Sequence, residues 1–438
     1  MIRTHYSGEL SSHKGETVTI AGWVDNVKEL PNFRFIVIRD RSGLMQVTVD
    51  KKKSPQEIEQ STRDLKLHDV IAVTGTVLDK RIAKIGPEVY PIKVKVLSKS
   101  VSPLPIDVTW SVETQLDTRL DWRVIDLRNP RNLAIITIEA KFMEGLEEYL
   151  RTNGFVQVST PAILGGTSEG GSEVFKLDYF GKSAFLRQDP QLHRQLAIAG
   201  GIDKLYDLGP NWRAEASHTP RHLCEHRACA AEIGFIEDET DTERVEEAMV
   251  SHAIKKIQND CKRELEILGK SDLHSPRIPF PELRFPEIYD ILKEYGRDLP
   301  PDTDLNRESE EILATHVKEK TGSEFFFVNR FPFAAKPFYV MRVDEDPRWA
   351  RSVDLIYKGL EVSSGGQREN RYDKLIAQIK EKGIDESGLE WFTKNFKYGV
   401  PPHGGFALGI ERSVAQMLDI ENIREVCLFP RTPERLEP

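Results

Sequence analysis

The sequence predicts an α+β chain, with a small closed β-barrel ahead of a larger domain whose helices flank an antiparallel sheet. Three observations lead there. Five short, β-branched, alternating runs fill the first hundred residues, and long helical apolar spacing starts only near residue 131. Beyond that point strands and helices do not alternate regularly, which disfavours a doubly wound parallel sheet.

The barrel strands read in order as "TVTIAGWVDNV" (17–27), "RFIVIRD" (34–40) and "LMQVTVD" (44–50), separated by "KELPNF" and "RSG" turns. "VIAVTGTVLD" (70–79) and "VYPIKVKVLS" (89–98) complete five. Five such strands within residues 1–102 suit a barrel of the OB type. Pro103 and Pro105 mark a linker, taken as 103–130. Helical spacing over 131–153 ends at Gly154, a natural C-cap, and "FVQVSTP" (155–161) follows as a strand. One long helix is expected over 242–265. The Pro-rich "SPRIPFPELRFPEIY" opens a mixed segment, read as an insertion at about 270–340 within a domain spanning 131–438. Strands return at "KPFYVMRV" (336–343), "SVDLIYKGLEVSS" (352–364) and "GGFALGIE" (404–411).

Hydrophobic content of 39% and charged content of 30% describe a globular chain, without an apolar run long enough to span a bilayer. The start "MIRTHYSGEL" lacks the basic-then-apolar pattern of a signal peptide, so a cytoplasmic protein is expected. Four scattered cysteines make no disulfide framework. The net charge of -9 excludes indiscriminate coating of nucleic acid. Residues 1–100, however, carry 17 Lys/Arg against 12 Asp/Glu, a balance that suits a local contact with a polyanion.

The stretch "NWRAEASHTPRHLCEHRACAAEIGF" (211–235) gathers Arg213, Arg221 and Arg227 with three histidines and two cysteines. Structural zinc sites present paired knuckles, which this spacing lacks, so no zinc is expected. A hairpin gripping a polyphosphate fits better. Arg213 and Glu215, two apart, would share one face of a strand, Arg221 and His222 would lie in the loop, and "AAEIGF" would return. Arginine's planar fork suits phosphate oxygens. An exposed, salt-bridged hairpin would read similarly.

Joined to "GFVQVSTPAIL" (154–164) and "GGFALGIERSVAQML" (404–418), this hairpin resembles, in order, motifs 1, 2 and 3 of the class II aminoacyl-tRNA synthetases. Across the whole chain, "TRLDWRVIDLR" (118–128), "TSEGGSEVF" (167–175), "WRAE", "TPRHL", "EVSSGGQRE" (361–369), "PPHGG" (401–405) and "LFPR" resemble the aspartyl-tRNA synthetases of the archaeal and eukaryotic type. The resemblance implies ATP-dependent joining of L-aspartate to tRNA through an aspartyl-adenylate. Arg213 and Arg412 would be the catalytic cations. Glu215, Arg221, His222, Leu223, Glu361, Gly409, Ile410 and Glu411 would complete the ATP site. Asp354, Glu361 and Ser364 would hold Mg²⁺, a hard ion suited to carboxylates and phosphate oxygens. Aspartate would be selected by Glu169, Asp189, Gln191, Arg194, Arg213, Ser364, Arg368 and His403. Arg368, beside uncharged Ser and Gly, can take a side-chain carboxylate bidentately, and a site built on that pair rejects the amide. Phe35 and Gln46 hold the places where the family stacks on and reads an anticodon base, with a buried Phe35 and a surface Gln46 as the other possibility. Motif 1 implies a homodimer.

Several positions depart from the family. Asp189 and Arg194 in "QDPQLHR" replace its usual serine and lysine, and Ala230 replaces an aspartate that helps hold the α-ammonium. His226 takes the place of the aromatic residue on adenine, Ala407 a motif 3 glycine, and Trp122 a common asparagine. A carboxylate lost at 230 and gained at 189 leaves the charge count unchanged. The alternative is a paralog that adenylates an altered acidic amino acid or serves an acceptor other than tRNA.

Overall fold

Alternation, interrupted by bulges at Val24–Asn26 and Thr74–Gly75, builds the N-terminal barrel. In the computed structural model, which describes residues 1–79, 85–109, 111–166, 173–216 and 219–438, the chain forms two units, Met1–Thr114 and Gln115–Pro438. In the first, strands β1 (Thr17–Glu29), β2 (Phe33–Asp40), β3 (Gly43–Asp50), β4 (Val70–Val77) and β5 (Glu88–Ser98) close in the order β1-β2-β3-β5-β4. Every second residue, among them Ile36, Ile38, Met45, Val47, Ile71 and Val73, fills the barrel interior. A short helix, Gln56–Arg63, lies between β3 and β4 and adds Ile58 to that core. The sequence reading had no element there.

Residues 115–130, expected as linker, are folded into the second unit. Two short helices, Leu116–Asp121 and Arg123–Asp126, are anchored by a buried Arg123, which donates Nη1 to Asp126 Oδ2 at 2.9 Å and Nη2 to the Cys427 carbonyl at 2.7 Å. The helix Pro130–Thr152 begins where Asn129 accepts from the Arg131 N–H and Pro130 needs no donor. Gly154, at φ +83°, turns the chain out after it.

An eight-stranded sheet is the frame of this unit. It comprises β6 (Val156–Gln157), β10 (Lys204–Trp212), β11 (Glu225–Gly234), β12 (Glu282–Arg284), β13 (Phe325–Asn329), β14 (Ser352–Tyr357), β15 (Leu360–Arg368) and β16 (His403–Gly409). The order is β12-β13-β14-β15-β16-β11-β10-β6, antiparallel except for the outer pairs β12/β13 and β10/β6. A side sheet orders β7 (Ile163–Leu164), β9 (Lys182–Leu186) and β8 (Lys176–Tyr179). Helices Pro130–Thr152 and Thr240–Asp260 cover one face of the main sheet, with Ile138, Phe142, Leu146, Met249 and Ile257 packed on Tyr206, Ala231 and Leu355. They approach so closely that a Cβ on Gly145 would stand 2.7 Å from the Ala253 Cα.

Four expectations change here. The helix expected over 242–265 breaks at Cys261 into Thr240–Asp260 and Lys262–Leu268. "FVQVSTP" contributes only the two residues of β6. Residues 336–343 form no strand: the chain turns at Pro337, whose carbonyl accepts the Val340 N–H at 3.2 Å, and Val340 and Arg342 then make isolated bridges to two different partners, Arg368 and Ala350. The segment 270–340 supplies β12 and β13 to the sheet edge, while its helices Glu287–Glu294 and Arg307–Thr321 pack Ile288, Leu292, Leu313 and Val317 on Phe326 and Val328.

Candidate active site

Strand parity sorts the residues of β11. Cys229, Ala231 and Ile233 enter the core against the helices, whereas His226 and Ala228 line a cleft of about 370 Å³ on the other face. Cys229 is therefore turned away from His226, and burial pushes its thiol pKa up. Strand β10 ends at Trp212, so Arg213 and Glu215 lie in the connection rather than on the strand as expected. They still meet. Arg213 Nη1 is 3.6 Å from Glu215 Oε1, and His222 Nε2 is 3.5 Å from Glu215 Oε2. Arg213, Glu215, Arg221, His222 and Leu223 line the same cleft as Gly409, Glu411 and Arg412, where β16 passes into the helix Ile410–Leu418.

Arg412 donates Nη1 to the Glu361 carbonyl at 3.3 Å. Glu411 is already committed: its oxygens accept from the Arg227 N–H and Nε at 3.0–3.1 Å. Ile410 is a core residue and does not reach the cleft. His226 is held neutral, its pKa pulled down to about 4 by burial, with Arg213 and Arg412 adding to it. A neutral imidazole suits a flat face for a base.

The three candidate metal residues converge through an irregularity. On a regular strand Glu361 and Ser364 would face opposite ways. Here the register slips, pairing Glu361 with Ile356 but Ser363 with Leu355 and Ser364 with Asp354, so Val362 is the extra residue of a β-bulge. That restores Glu361 and Ser364 to the cleft side, beside Asp354. Asp354 itself is 3% exposed and does not line the cleft. Its Oδ2 accepts from Lys336 Nζ at 2.8 Å, while its Oδ1 is buried without a hydrogen bond. Burial pushes its pKa up to about 7, with Glu361 raising and Lys336 lowering it. Lys336 also reaches Asp304 at 3.2 Å, and Glu310 accepts the Glu361 N–H at 3.3 Å. Two carboxylates, one of them with an unpartnered buried oxygen, and a hydroxyl fit a hard cation.

The remaining candidates form a buried network. Arg368 donates Nε to Glu232 Oε1 at 2.9 Å and Nη2 to Gln191 Oε1 and the Gly405 carbonyl at 3.2 and 3.0 Å. Gln191 Nε2 donates to Glu232 Oε2 at 2.9 Å. Glycine at 405 is required, since a Cβ there would stand 2.5 Å from Glu232 Oε2. Arg368 thus has only Nη1 uncommitted among the described residues, and offers a substrate carboxylate one nitrogen rather than the expected fork.

Asp189, Gln191, Ser364 and Arg368 line the cleft; Arg194 and His403 do not. Arg194 is 1% exposed and faces Asp189 and Gln191 from behind. His403 is fully buried, with Nδ1 near the Pro401 carbonyl and Nε2 near Gln195. Glu169 lies outside the described residues. Glu232, Lys336 and Asp304 were missed. Glu232 shares the parity of His226 along β11 and was within reach of the pattern; Lys336, in a Pro- and Phe-rich irregular segment, was not.

On the barrel, Phe35 and Gln46 lie on neighbouring strands, paired to Thr48 and Val37. Phe35 is outside the core, half-buried and stacked on Phe33 at 6.0 Å. Gln46 donates to Thr48 and Glu88 at 3.3 and 3.4 Å.

Comparison with known proteins bears on this arrangement. The family model for class II tRNA synthetases (D, K and N) matches residues 115–433, and that for an OB-fold nucleic acid binding domain matches 18–97. The chain is 45% identical to the aspartate–tRNA(Asp) ligase of Pyrococcus horikoshii, over 100% of both chains. It is 40% identical to the aspartate–tRNA(Asp/Asn) ligase of Methanopyrus kandleri, again over 100% of both. Among solved structures, asparaginyl-tRNA synthetase from Pyrococcus horikoshii complexed with asparaginyl-adenylate superposes with a TM-score of 0.91 at 33% identity, covering 100% of each chain. Aspartyl-tRNA synthetase from Entamoeba histolytica does so with a TM-score of 0.87 at 29% identity, covering 100% of this chain and 93% of that one.

Proposed function

This chain belongs to the class II tRNA synthetases (D, K and N), and on that premise we propose that it joins L-aspartate to tRNA with ATP, through an aspartyl-adenylate. The observation that carries the reading is one cleft lined by Arg213, Arg221 and Arg412 and, with them, by a buried Arg368. Three cations suit a triphosphate; the fourth suits an acidic side chain.

No side chain need act as a covalent nucleophile. The aspartate carboxylate attacks the α-phosphorus and diphosphate leaves. Arg213 stabilises the charge that grows on the α-phosphate oxygens, and Arg412 and Arg221 hold the remainder of the triphosphate. His226, neutral, provides a face for adenine. Arg368 Nη1 takes the substrate side-chain carboxylate, with Glu232 and Gln191 fixing the guanidinium. Asp189 offers a carboxylate to the α-ammonium. Asp354, Glu361 and Ser364 would hold Mg²⁺, which neutralises phosphate charge when bound.

The second substrate is tRNA. Phe35 would stack on an anticodon base and Gln46 would read its edge, which the position of both on neighbouring strands, half-buried and outside the barrel core, supports. A homodimer through the β6 segment is supported by Val156, half exposed on the last strand of the sheet. No described helix is long and apolar enough to cross a membrane, and we place the reaction in the cytoplasm. ATP–pyrophosphate exchange across the amino acids, followed by charging of tRNA, tests the reading. Exchange that requires an amino acid other than aspartate would favour the altered-substrate paralog.

A further inference from the structure

We propose that Lys336 is a tethered cation that opposes a divalent ion at Asp354 and Glu361 until a nucleotide supplies compensating charge, so that the metal enters with ATP and not before it. This rests on the reading that those carboxylates hold Mg²⁺.

The geometry is specific. Lys336 is 7% exposed, its Nζ lies 2.8 Å from Asp354 Oδ2 and 3.2 Å from Asp304 Oδ2, and it sits 3.6 Å over the Phe331 ring. A buried ammonium without partners is costly, so those two carboxylates hold it in place. Asp354 Oδ1 is buried and makes no hydrogen bond, and Glu361 shares its side of the sheet through the bulge at Val362. Lys336 therefore occupies one oxygen of a carboxylate whose other oxygen is buried and makes no hydrogen bond.

Two consequences follow from Coulomb's law at this range. The lysine lowers the attraction of the site for a free divalent ion. A triphosphate in the same cleft, which Lys336 also lines, outweighs that single charge and restores it. The residue acts on the metal through Asp354 and is a positioning residue. An aliphatic residue at 336 would leave Asp354 and Asp304 without their cation, and a free metal would take its place.

The test uses the full-length chain and Mn²⁺ as the probe, with free Mn²⁺ read by electron paramagnetic resonance, with and without a non-hydrolysable ATP analogue, and with the Mn²⁺ that the analogue binds in a protein-free control subtracted. The parent protein should bind Mn²⁺ weakly alone and much more tightly with the analogue. Lys336→Met should tighten nucleotide-free binding by about tenfold or more, in line with the effect of one nearby charge, and shrink the gain from the analogue. Lys336→Arg, which keeps the charge, should behave as the parent does. Should Lys336→Met fail to fold, Lys336→Gln carries the same expectation. Unchanged or weaker nucleotide-free binding in the folded neutral variant overturns the proposal. Glu361→Gln separates the two readings: unaltered Mn²⁺ binding with the analogue in that variant overturns the metal assignment itself.

Discussion

Arg194 clasps Asp189 fork to fork, Nη1 on Oδ1 at 2.8 Å and Nη2 on Oδ2 at 2.7 Å. The two departures from the family at 189 and 194 are thus each other's partners. Arg194, longer and planar, is drawn behind the cleft wall, and its Nη2 also fixes Gln191 at 2.7 Å. Asp189 and Arg368 line the cleft, whereas Arg194 reaches it only through Asp189 and Gln191.

Asp189→Ser should therefore destabilise the fold by about 3–5 kcal/mol, because it leaves a buried guanidinium without its carboxylate, and should raise the KM for aspartate. Adding Arg194→Met, which removes the buried charge, should recover most of the stability, giving a coupling energy in the double-mutant cycle. Urea melts and exchange kinetics check both. Rescue of KM by Ala230→Asp instead would show that the two carboxylate positions share the α-ammonium.

Arg213→Ala and Arg412→Ala should each slow adenylate formation by roughly 10²–10³, as for loss of one preorganised donor. Single-turnover measurement with saturating ATP is the check. A change confined to the KM for ATP would assign them to ground-state binding alone.

Stability should fall with pH over a defined window. Glu246, on the helix beneath the sheet, is buried, and burial pushes its pKa from 4.5 up to about 8. The folded chain keeps a proton that the unfolded chain has lost, so this contribution is complete below pH 4.5 and is lost as pH rises through 8. Glu246→Gln should lessen the drop in urea midpoint between pH 5 and pH 8.5. An unchanged drop would contradict the assignment.

Phe35→Ala should weaken tRNA binding by about 1–3 kcal/mol, the worth of one stacked base. Its thermal midpoint should stay near that of the parent, since Phe35 is outside the barrel core. Loss of both together would make it a packing residue.

What the sequence disclosed follows from where local rules govern. The barrel strands were legible because β-branched residues roughly alternate along them, and the helix read over 131–153 because its apolar spacing persists until Gly154 stops it. The break at Cys261 carries no Gly or Pro, and "KPFYVMRV" alternates like a strand although its first half is a turn, from Pro337 to Val340. At the site, the cluster of Arg213, Arg221 and Arg412 was legible from the resemblance. The withdrawal of Arg194 and His403 was not, because a residue's distance from a cleft depends on which partner, Asp189 or Gln195, pulls it back. The bulge at Val362 was equally hidden, since one extra residue in a strand leaves no mark on composition.

The central claim is that this cleft activates aspartate. ATP–pyrophosphate exchange by the full-length protein, compared with aspartate and with asparagine, tests it most directly. The account predicts exchange with aspartate and none above background with asparagine, because Arg368 Nη1 would face an amide it cannot pair as a charge. Equal or faster exchange with asparagine, or with any neutral or basic amino acid, would contradict it.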